Sequence, residues 1–362
     1  MKVIIAGGGT GGHLFPAVAL GEELMRERPG IEVMFVGTSA GMEARWLPKS
    51  GYRYALFEVH GIRGHSLVER ARSAREFVRA IGLARALLQK FPADLVVSAG
   101  GYASAPMAVA AFLARVPLVL LEQNAVPGLS NRILWRFARK ICVGFSETVS
   151  HFSSAKVAVT GNPVRFAFDS KRERREGEPF QILVLGGSTG AHRLNLGVLG
   201  AFKIWGNNVI NLNVVHQTGE ADVEVVRAGY RDLPFKADVI PFIDDIAVAL
   251  NRADLVVARG GAMTVTEVSL AARAAIYVPY PFHRDHQQEH NARVIEKLGG
   301  AIVVKDDAQL AQNLAGELRR LVESPDKLPA MGERARASMY PDAAARVAQI
   351  CFEVAGEERA AA

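Results

Sequence analysis

Cysteine is scarce in this chain of 362 residues, which contains only Cys142 and Cys351. The two are far apart in the sequence, and neither belongs to a CxxC pair or to a pattern with metal-ligand spacing. This scarcity argues against a disulfide framework and against a structural zinc site. We therefore expect the protein to work in a reducing compartment.

Long apolar runs are also missing. The longest uncharged stretch, residues 95–114, is interrupted by Gly100-Gly101 and by Pro106. It therefore predicts a strand, a loop and a buried helix rather than a membrane span. A strand is predicted to begin almost at the first residue. This leaves no space for the positively charged segment and the apolar segment of a secretory signal peptide, so we expect none.

Positive charge is unevenly distributed. The net charge of +6 divides into +8 for residues 1–163 and −2 for the remainder, and residues 60–92 alone carry +5. Nucleic acid is one partner that such a segment could bind, but aromatic residues are sparse there and no helix-turn-helix or RNP pattern is present. The pattern favours an anionic membrane surface and no nucleic acid.

Short apolar runs alternate with amphipathic stretches along the whole chain, which predicts an α/β protein with parallel sheets. Each half of the chain begins with a strand and a glycine-rich turn, so the simplest architecture has two Rossmann-like parallel-sheet domains facing across a cleft. The expected domains are residues 1–163 and 164–340, followed by a C-terminal helix in 341–362. The charged run 171–179 resembles an interdomain linker. The predicted strands are 2–6, 32–37, 54–58, 94–98, 117–121, 140–144, 156–159, 181–185, 210–216, 237–240, 254–257, 275–278 and 301–304.

The first glycine-rich turn, residues 7–12, fits the pattern GxGxxG of dinucleotide-binding proteins. That fingerprint also requires an acidic residue at the end of the second strand, and residues 35–38 provide none. The turn instead leads directly into His13, whose imidazole, with a pKa near neutrality, is our candidate general base. The alternative is that His13 caps or packs the following helix.

The second glycine-rich turn, residues 186–191, also follows an apolar strand. Free backbone amides at the start of the next helix would bind a diphosphate without a metal ion. The alternative is an ordinary strand-to-helix turn.

Polar residues follow two later strands of the second half. Glu267 comes soon after the glycines of Arg259-Gly260-Gly261, where its carboxylate either caps a helix or accepts both hydroxyls of a ribose. The segment 283–290 contains three histidines that could be taken for a metal site, but the adjacent Gln287 and Gln288 are better suited to sugar hydroxyls. We expect no metal site.

Eight short motifs lie in the order and spacing of one known family: GGTGGH at 8–13, GGY at 100–102, EQN at 122–124, GNPVR at 161–165, GGS and GA within 186–191, FIDD at 242–245, GGAMTVTE at 260–267 and HQQ at 286–288. In these motifs the chain resembles the MurG family of peptidoglycan glycosyltransferases over essentially its whole length. The resemblance implies the GT-B fold, with the C-terminal helix crossing back to the first domain.

The resemblance also implies an activity: inverting transfer of N-acetylglucosamine from UDP-GlcNAc to the muramyl 4-hydroxyl of undecaprenyl-diphosphate-linked MurNAc-pentapeptide (lipid I), which gives lipid II for peptidoglycan synthesis. It implies no cofactor, a peripheral location on the cytoplasmic face of the bacterial inner membrane, and cell-wall and division proteins as candidate partners. The alternatives are another GT-B enzyme acting on UDP-GlcNAc, such as a 2-epimerase, or a non-catalytic nucleotide-sugar-binding protein.

Carried over motif by motif, the family's donor site would have its diphosphate contact at Ser188, its uracil contact at the Ile243 backbone and its ribose contact at Glu267. The remaining UDP-GlcNAc contacts implied by the resemblance are Thr10, Gly11, Gly12, Asn124, Arg165, Ala262, Met263, Thr264, Val265, Thr266, Gln287 and Gln288. One departure from the family pattern is Leu121, where a histidine is usual, and we expect it to make the surroundings of Asn124 less polar.

A membrane-bound acceptor requires a docking surface on the enzyme. The candidates for insertion into the lipid are Val78, Ile81 and Phe112. The candidates for contact with anionic headgroups are Arg75, Arg79 and Arg115. The alternative for the apolar members is ordinary packing of helices.

Overall fold

The computed structural model describes residues 1–58, 67–101, 104–168, 177–187, 190–206, 211–282 and 285–356, without the side chains of 67–71. The chain divides into two compact units. Unit 1 combines Met1–Arg165 with Asp342–Ala362, and unit 2 is Phe166–Pro341. These divisions lie beside the boundaries expected after residues 163 and 340.

Unit 1 is built on a parallel sheet that has seven strands in the described part of the chain, in the order β3-β2-β1-β4-β5-β6-β7. Its central strands are buried on both faces, which explains their uninterrupted apolar sequences. The strands are β1 Lys2–Ala6, β2 Glu32–Thr38, β3 Arg53–Phe57, β4 Leu95–Ser98, β5 Leu118–Glu122, β6 Lys140–Val143 and β7 Val157–Val159. The helices between them are α1 Gly11–Glu27, α2 Glu43–Ser50, α3 Leu67–Lys90, α4 Ala105–Leu113 and α5 Leu129–Leu134.

Unit 2 contains a second parallel sheet, with six strands among the described residues in the order β10-β9-β8-β11-β12-β13. The strands are β8 Phe180–Leu185, β9 Leu212–Gln217, β10 Lys236–Ile240, β11 Leu255–Ala258, β12 Ala274–Tyr277 and β13 Ala301–Val303. The helices are α6 His192–Trp205, α7 Val223–Tyr230, α8 Ile246–Arg252, α9 Ala262–Leu270, α10 Gln287–Lys297, α11 Leu310–Val322 and α12 Leu328–Arg336.

The last described helix, α13 Ala343–Ala355, packs against α1 and completes the core of unit 1. Its residues Val347, Cys351 and Phe352 are buried among side chains of the first sheet. The guanidinium of Arg28 lies 4.0 Å from the Phe352 ring centroid. The C-terminal helix therefore returns to the first domain, as the resemblance implied.

The strand order determines where a ligand can bind. In both sheets the order reverses beside the first strand, between β1 and β4 in unit 1 and between β8 and β11 in unit 2. Ligands of doubly wound sheets bind at such switch points, at the carboxyl ends of the strands. Both glycine-rich turns leave the sheet at these points, since they follow β1 and β8.

All thirteen predicted strands are present, with ends displaced by at most two residues. The two parallel-sheet, Rossmann-like domains are therefore confirmed. Most of the predicted linker, residues 171–179, lies outside the described residues. Among the described helices, none is long and apolar enough to cross a membrane.

Candidate functional site

The first glycine-rich turn is packed tightly against the loop that follows β4. The N–H of Gly7 donates to the carbonyl of Val36 on β2, at 3.0 Å. A Cβ added at Gly101, whose φ is +79°, would lie 2.4 Å from the carbonyl oxygen of Gly8. The two loops at the β1/β4 switch point can approach this closely only because glycine occupies both sides.

His13 lies in the first turn of α1, which begins at Gly11, and its ring contacts the same neighbouring loop. Its Nδ1 is 3.2 Å from the hydroxyl of Thr10. A Cβ at Gly100 would come within 2.8 Å of the imidazole Cδ2 and 3.2 Å of Nε2. Thr10, Gly11, Gly12 and His13 are therefore brought together at the switch point of unit 1.

The electrostatics of His13 differ from the sequence-based expectation. Burial lowers the pKa of the imidazole to about 4, although the charge of Glu43 acts in the opposite direction. The expected near-neutral pKa was wrong, because a sequence does not reveal how much water the ring loses on folding. At neutral pH the ring is uncharged and is able to accept a proton.

Glu43 was missed by sequence reasoning. It is the first residue of α2, it is fully buried, and its carboxylate accepts hydrogen bonds from the backbone N–H of Gly9 and of Thr38. An acidic residue does therefore follow β2, but five positions after the strand end at which the dinucleotide fingerprint places it. The nearby Gly37 and Gly41 were the available signal, because a buried side chain needs room beside it.

Asn124 is held by a buried carboxylate at the end of β5. Its backbone N–H and its side-chain Nδ2 donate to Oε1 of Glu122 at 2.9 and 3.1 Å, and its carbonyl accepts from the Thr148 hydroxyl. Burial raises the pKa of the Glu122 carboxyl. Leu121 is buried in the core, and the polar contacts of Asn124 include Glu122 and Thr148.

Arg165 lies on an aromatic surface of unit 1. Its guanidinium carbon is 5.2 Å from the Trp46 ring centroid and 5.8 Å from that of Phe15, and Nη2 is 3.8 Å from Glu22. Phe15 follows His13 by two residues on α1, so Arg165 belongs to the same region of unit 1 as the glycine turn.

In unit 2, the turn after β8 leads into α6 at its own switch point. Gly190, with φ of +81°, approaches Thr218 so closely that a Cβ would be 2.3 Å from the threonine carbonyl oxygen. The first turn of α6 contains no acidic side chain that would repel an anion. Ser188 lies outside the described residues.

The segment Ala262–Glu267 forms the start of α9, directly after the β11 loop. Ala262, Met263, Val265 and Thr266 are buried, and the Thr266 hydroxyl donates to the carbonyl of Ala262 at 2.9 Å. Thr264 is half-buried.

Glu267 is the sixth residue of α9, so it is too far along the helix to cap its amino end. Its carboxylate makes no hydrogen bond or ion pair with the described part of the chain. Burial raises the pKa of this carboxyl to about 7. A half-buried carboxylate without a protein partner is suited to accept hydrogen bonds from ligand hydroxyls.

Gln287 and Gln288 begin α10 beside the loops that follow β11 and β12. The Gln288 side-chain oxygen accepts from the backbone N–H of Tyr280 at 3.0 Å, which leaves its amide nitrogen as the donor for a ligand. A Cβ at Gly260 would lie 2.2 Å from the Gln288 carbonyl oxygen. The β11, β12 and α10 segments therefore meet at one edge of the sheet.

Ile243 is half-buried in the loop between β10 and α8, at the same carboxyl edge of the second sheet. The neighbouring Asp245 accepts from the N–H of Val248 at 3.0 Å and caps α8. Of the three histidines in 283–290, His283 lies outside the described residues. Within the described ranges, no group of three or more His, Cys, Asp or Glu side chains could hold a metal ion.

The membrane-docking candidates lie on α3 and at the end of α4, which pack against each other. Val78 is 67% exposed and Phe112 is 49% exposed, while Ile81 is half-buried against the core. The cationic candidates Arg75, Arg79 and Arg115 are exposed. Sequence reasoning missed further exposed apolar side chains on and after α5, namely Leu129, Ile133 and Phe137. The Phe137 ring is 4.5 Å from that of Phe112, so they continue the same surface.

Both halves of the chain match the models of known domain families. Residues 3–143 match the "Glycosyltransferase family 28 N-terminal domain", and residues 181–347 match the "Glycosyltransferase family 28 C-terminal domain". These matched regions contain both glycine-rich turns.

Curated relatives match over nearly the whole chain. A protein of Geobacter sulfurreducens named UDP-N-acetylglucosamine–N-acetylmuramyl-(pentapeptide) pyrophosphoryl-undecaprenol N-acetylglucosamine transferase is 42% identical over 95% of this chain and 96% of its own length. A protein of Myxococcus xanthus with the same name is 39% identical over 98% of this chain and 93% of its own.

Solved structures give the same result at the level of fold. The crystal structure of Acinetobacter baumannii MurG covers 97% of this chain and 99% of its own, with a TM-score of 0.79 and 31% identity. A putative UDP-N-acetylglucosamine 2-epimerase from Listeria monocytogenes covers 98% of this chain and 97% of its own, with a TM-score of 0.71 and 14% identity. The second likeness is one of fold alone.

Proposed function

The chain belongs to the MurG family of UDP-GlcNAc-dependent transferases, and on that premise we propose that it transfers N-acetylglucosamine to the muramyl 4-hydroxyl of lipid I and forms lipid II. The observation that carries the proposal is the near-full-length identity, 42% in the Geobacter sulfurreducens protein, to relatives named for this reaction.

His13 accepts the proton in the proposed mechanism. As the muramyl 4-hydroxyl oxygen forms a bond to the anomeric carbon, its proton moves to the neutral imidazole, and the bond from the anomeric carbon to the diphosphate oxygen breaks with both electrons remaining on UDP. Attack and departure on opposite faces of the sugar invert the configuration. The lowered pKa keeps His13 in its proton-accepting form at neutral pH.

Unit 2 holds the donor. The amides at the start of α6 bind the diphosphate and stabilise the charge that develops as UDP leaves. Glu267 accepts hydrogen bonds from the ribose hydroxyls, and the Ile243 backbone contacts the uracil. Gln287 and Gln288 bind GlcNAc hydroxyls, while the backbone of residues 262–266 lines the nucleotide. Thr10, Gly11, Gly12, Asn124, Arg165 and Ser188 are the remaining proposed donor contacts.

No metal ion takes part in the proposed reaction. The helix amino end of α6 supplies the positive potential that a divalent cation supplies in other sugar-nucleotide enzymes. Asp245 caps α8 by accepting the N–H of Val248, which supports leaving the acidic pair of residues 244–245 out of the proposed reaction.

The enzyme docks on the anionic cytoplasmic surface of the membrane that contains lipid I. Val78 and Phe112 insert into the interface, and Arg75, Arg79 and Arg115 contact lipid headgroups. Ile81 contributes packing rather than insertion, since it is half-buried against the core. The exposed α5 side chains extend this surface.

One experiment tests the proposed reaction against its alternatives. Labelled UDP-GlcNAc is incubated with the protein, with and without a lipid I analogue, and the products are separated. Label transferred to the lipid only when the acceptor is present supports the proposal. Conversion of UDP-GlcNAc without acceptor identifies an epimerase, and bound but unchanged donor identifies a binding protein.

A further inference from the structure

The carboxylate of Glu43 lies directly beneath the first glycine-rich turn. Both of its oxygens are 3.0 Å from the backbone nitrogen of Gly9. Oε1 also accepts from the backbone N–H and the hydroxyl of Thr38, each at 2.7 Å. The side chain is fully buried, and among the described residues it makes no ion pair.

The protein leaves space for this side chain at three glycines. A Cβ at Gly8 would lie 2.1 Å from Oε1 of Glu43, one at Gly37 would lie 2.2 Å from its Cγ, and one at Gly41 would lie 2.3 Å from a carboxylate oxygen. Glu43 therefore occupies a closely fitted pocket, and its carboxylate binds a turn amide that a dinucleotide-binding fold offers to a phosphate. The positive potential of the amides in the first glycine-rich turn is thereby neutralised by a side chain of the protein itself.

A buried carboxylate without a cation is costly unless its charge is used or well hydrogen-bonded. The described hydrogen bonds of Glu43 all come from donors, namely the N–H of Gly9 and the N–H and hydroxyl of Thr38. Glu43 is also the one charged group among the described residues that influences His13, and it raises the pKa of the imidazole against the effect of burial. The other groups that surround the ring, Thr10, Gly100 and Gly101, carry no charge.

We propose that Glu43 is a positioning residue for proton transfer: through the Gly9–Thr10 turn its carboxylate holds His13 in place, and its charge stabilises the imidazolium that forms as the acceptor hydroxyl loses its proton. This inference rests on the proposed function, because it assumes that His13 is the base. Glu43 contacts no substrate and acts only through His13.

The test replaces the charge and keeps the shape. Glu43→Gln is measured with UDP-GlcNAc and a lipid I analogue, alone and combined with His13→Ala. We expect kcat to fall several-fold, because a less basic imidazole accepts the proton less readily, while KM for UDP-GlcNAc stays unchanged. In the His13→Ala background the same substitution should cause no further loss, because the group that Glu43 supports is gone.

A second readout does not depend on turnover. NMR titration of the His13 ring should give a lower pKa in Glu43→Gln than in the unsubstituted protein. Thr38→Val is the matched control, because it removes one hydrogen bond to the same carboxylate and leaves the charge. It should lower the thermal midpoint and leave the pKa of His13 in place. If Glu43→Gln does not fold, Glu43→Asp, which retains the charge but withdraws it by one methylene, should shift kcat and the imidazole pKa in the same direction by less.

Two results would overturn the inference: an equal loss of kcat from Glu43→Gln with and without His13, or an unchanged His13 pKa in that variant. Full activity of His13→Ala would instead reject His13 as the base, whereas the ring titration would still report the coupling between Glu43 and His13. Absence of any glycosyl transfer by the unsubstituted protein would reject the proposed function itself.

Discussion

The hydroxyl oxygen of Thr10 lies 3.2 Å from Nδ1 of His13. This contact bears on which ring nitrogen is the base. For Nε2 to accept a proton, Nδ1 must carry the hydrogen and donate it to Thr10 Oγ1. Thr10, the residue that precedes α1, therefore orients the imidazole of His13 in the first turn of that helix. The ring lies beside a loop in which Gly100, lacking a Cβ, leaves room for it.

His13→Ala is predicted to lower kcat by about 10²–10⁴, the usual contribution of general-base catalysis. The affinity for UDP-GlcNAc should hardly change, because the residue acts on the acceptor. Steady-state kinetics and equilibrium titration of the donor measure the two effects separately. An unchanged kcat would show that another group takes the proton.

Glu267 predicts a pH dependence of nucleotide binding. Its pKa of about 7 in the unliganded protein means that the carboxyl is largely protonated at pH 6 and ionised at pH 8. Only the ionised form accepts both ribose hydroxyls, so UDP should bind more tightly as the pH rises through 7, with release of a proton. Calorimetry of UDP binding in buffers of different ionisation enthalpy measures that proton. Glu267→Gln should bind UDP more weakly and without this pH dependence.

Gln288 offers a test of sugar recognition apart from nucleotide recognition. Gln288→Glu keeps an oxygen for the N–H of Tyr280 and removes the amide donor. Loss of one hydrogen bond, about 1 kcal/mol, should raise KM for UDP-GlcNAc several-fold and leave the inhibition constant of UDP unchanged. Weaker inhibition by UDP as well would mean that the substitution disturbs the whole donor site.

The exposed apolar surface of α3 and α4 predicts membrane binding. Val78→Ser combined with Phe112→Ser should weaken sedimentation with vesicles that contain anionic lipid, and raised salt should weaken binding of the unsubstituted protein. Val225→Ser, at a 53% exposed position on unit 2, is the matched control and should bind normally. Binding that is indifferent to salt and to anionic lipid would contradict the proposed surface.

Metal independence is predicted from the role of the α6 amino end. Activity with the lipid I analogue should persist in excess EDTA, and added Mg²⁺ should not restore or increase it, because no cation balances the leaving diphosphate. Loss of activity in chelator that Mg²⁺ reverses would show that a cation is needed.

The central strands were predictable because a parallel strand buried on both faces has to be an apolar run, and such runs are visible in the sequence. The two glycine-rich turns were predictable for a similar local reason, since each follows directly on its strand. The order of the motifs further indicated the family.

Other properties depend on residues that only the fold brings together. The pKa of His13 is set by burial and by Glu43, thirty residues away in the chain, and the polar contacts of Asn124 include Glu122 and Thr148. Phe137 belongs to the proposed docking surface because the fold places its ring against that of Phe112. The sequence by itself determined the strands, the turns and the residue types available for chemistry. The tertiary structure decided which charges act on which groups, because desolvation and electrostatic interaction depend on distance in space and not on separation along the chain.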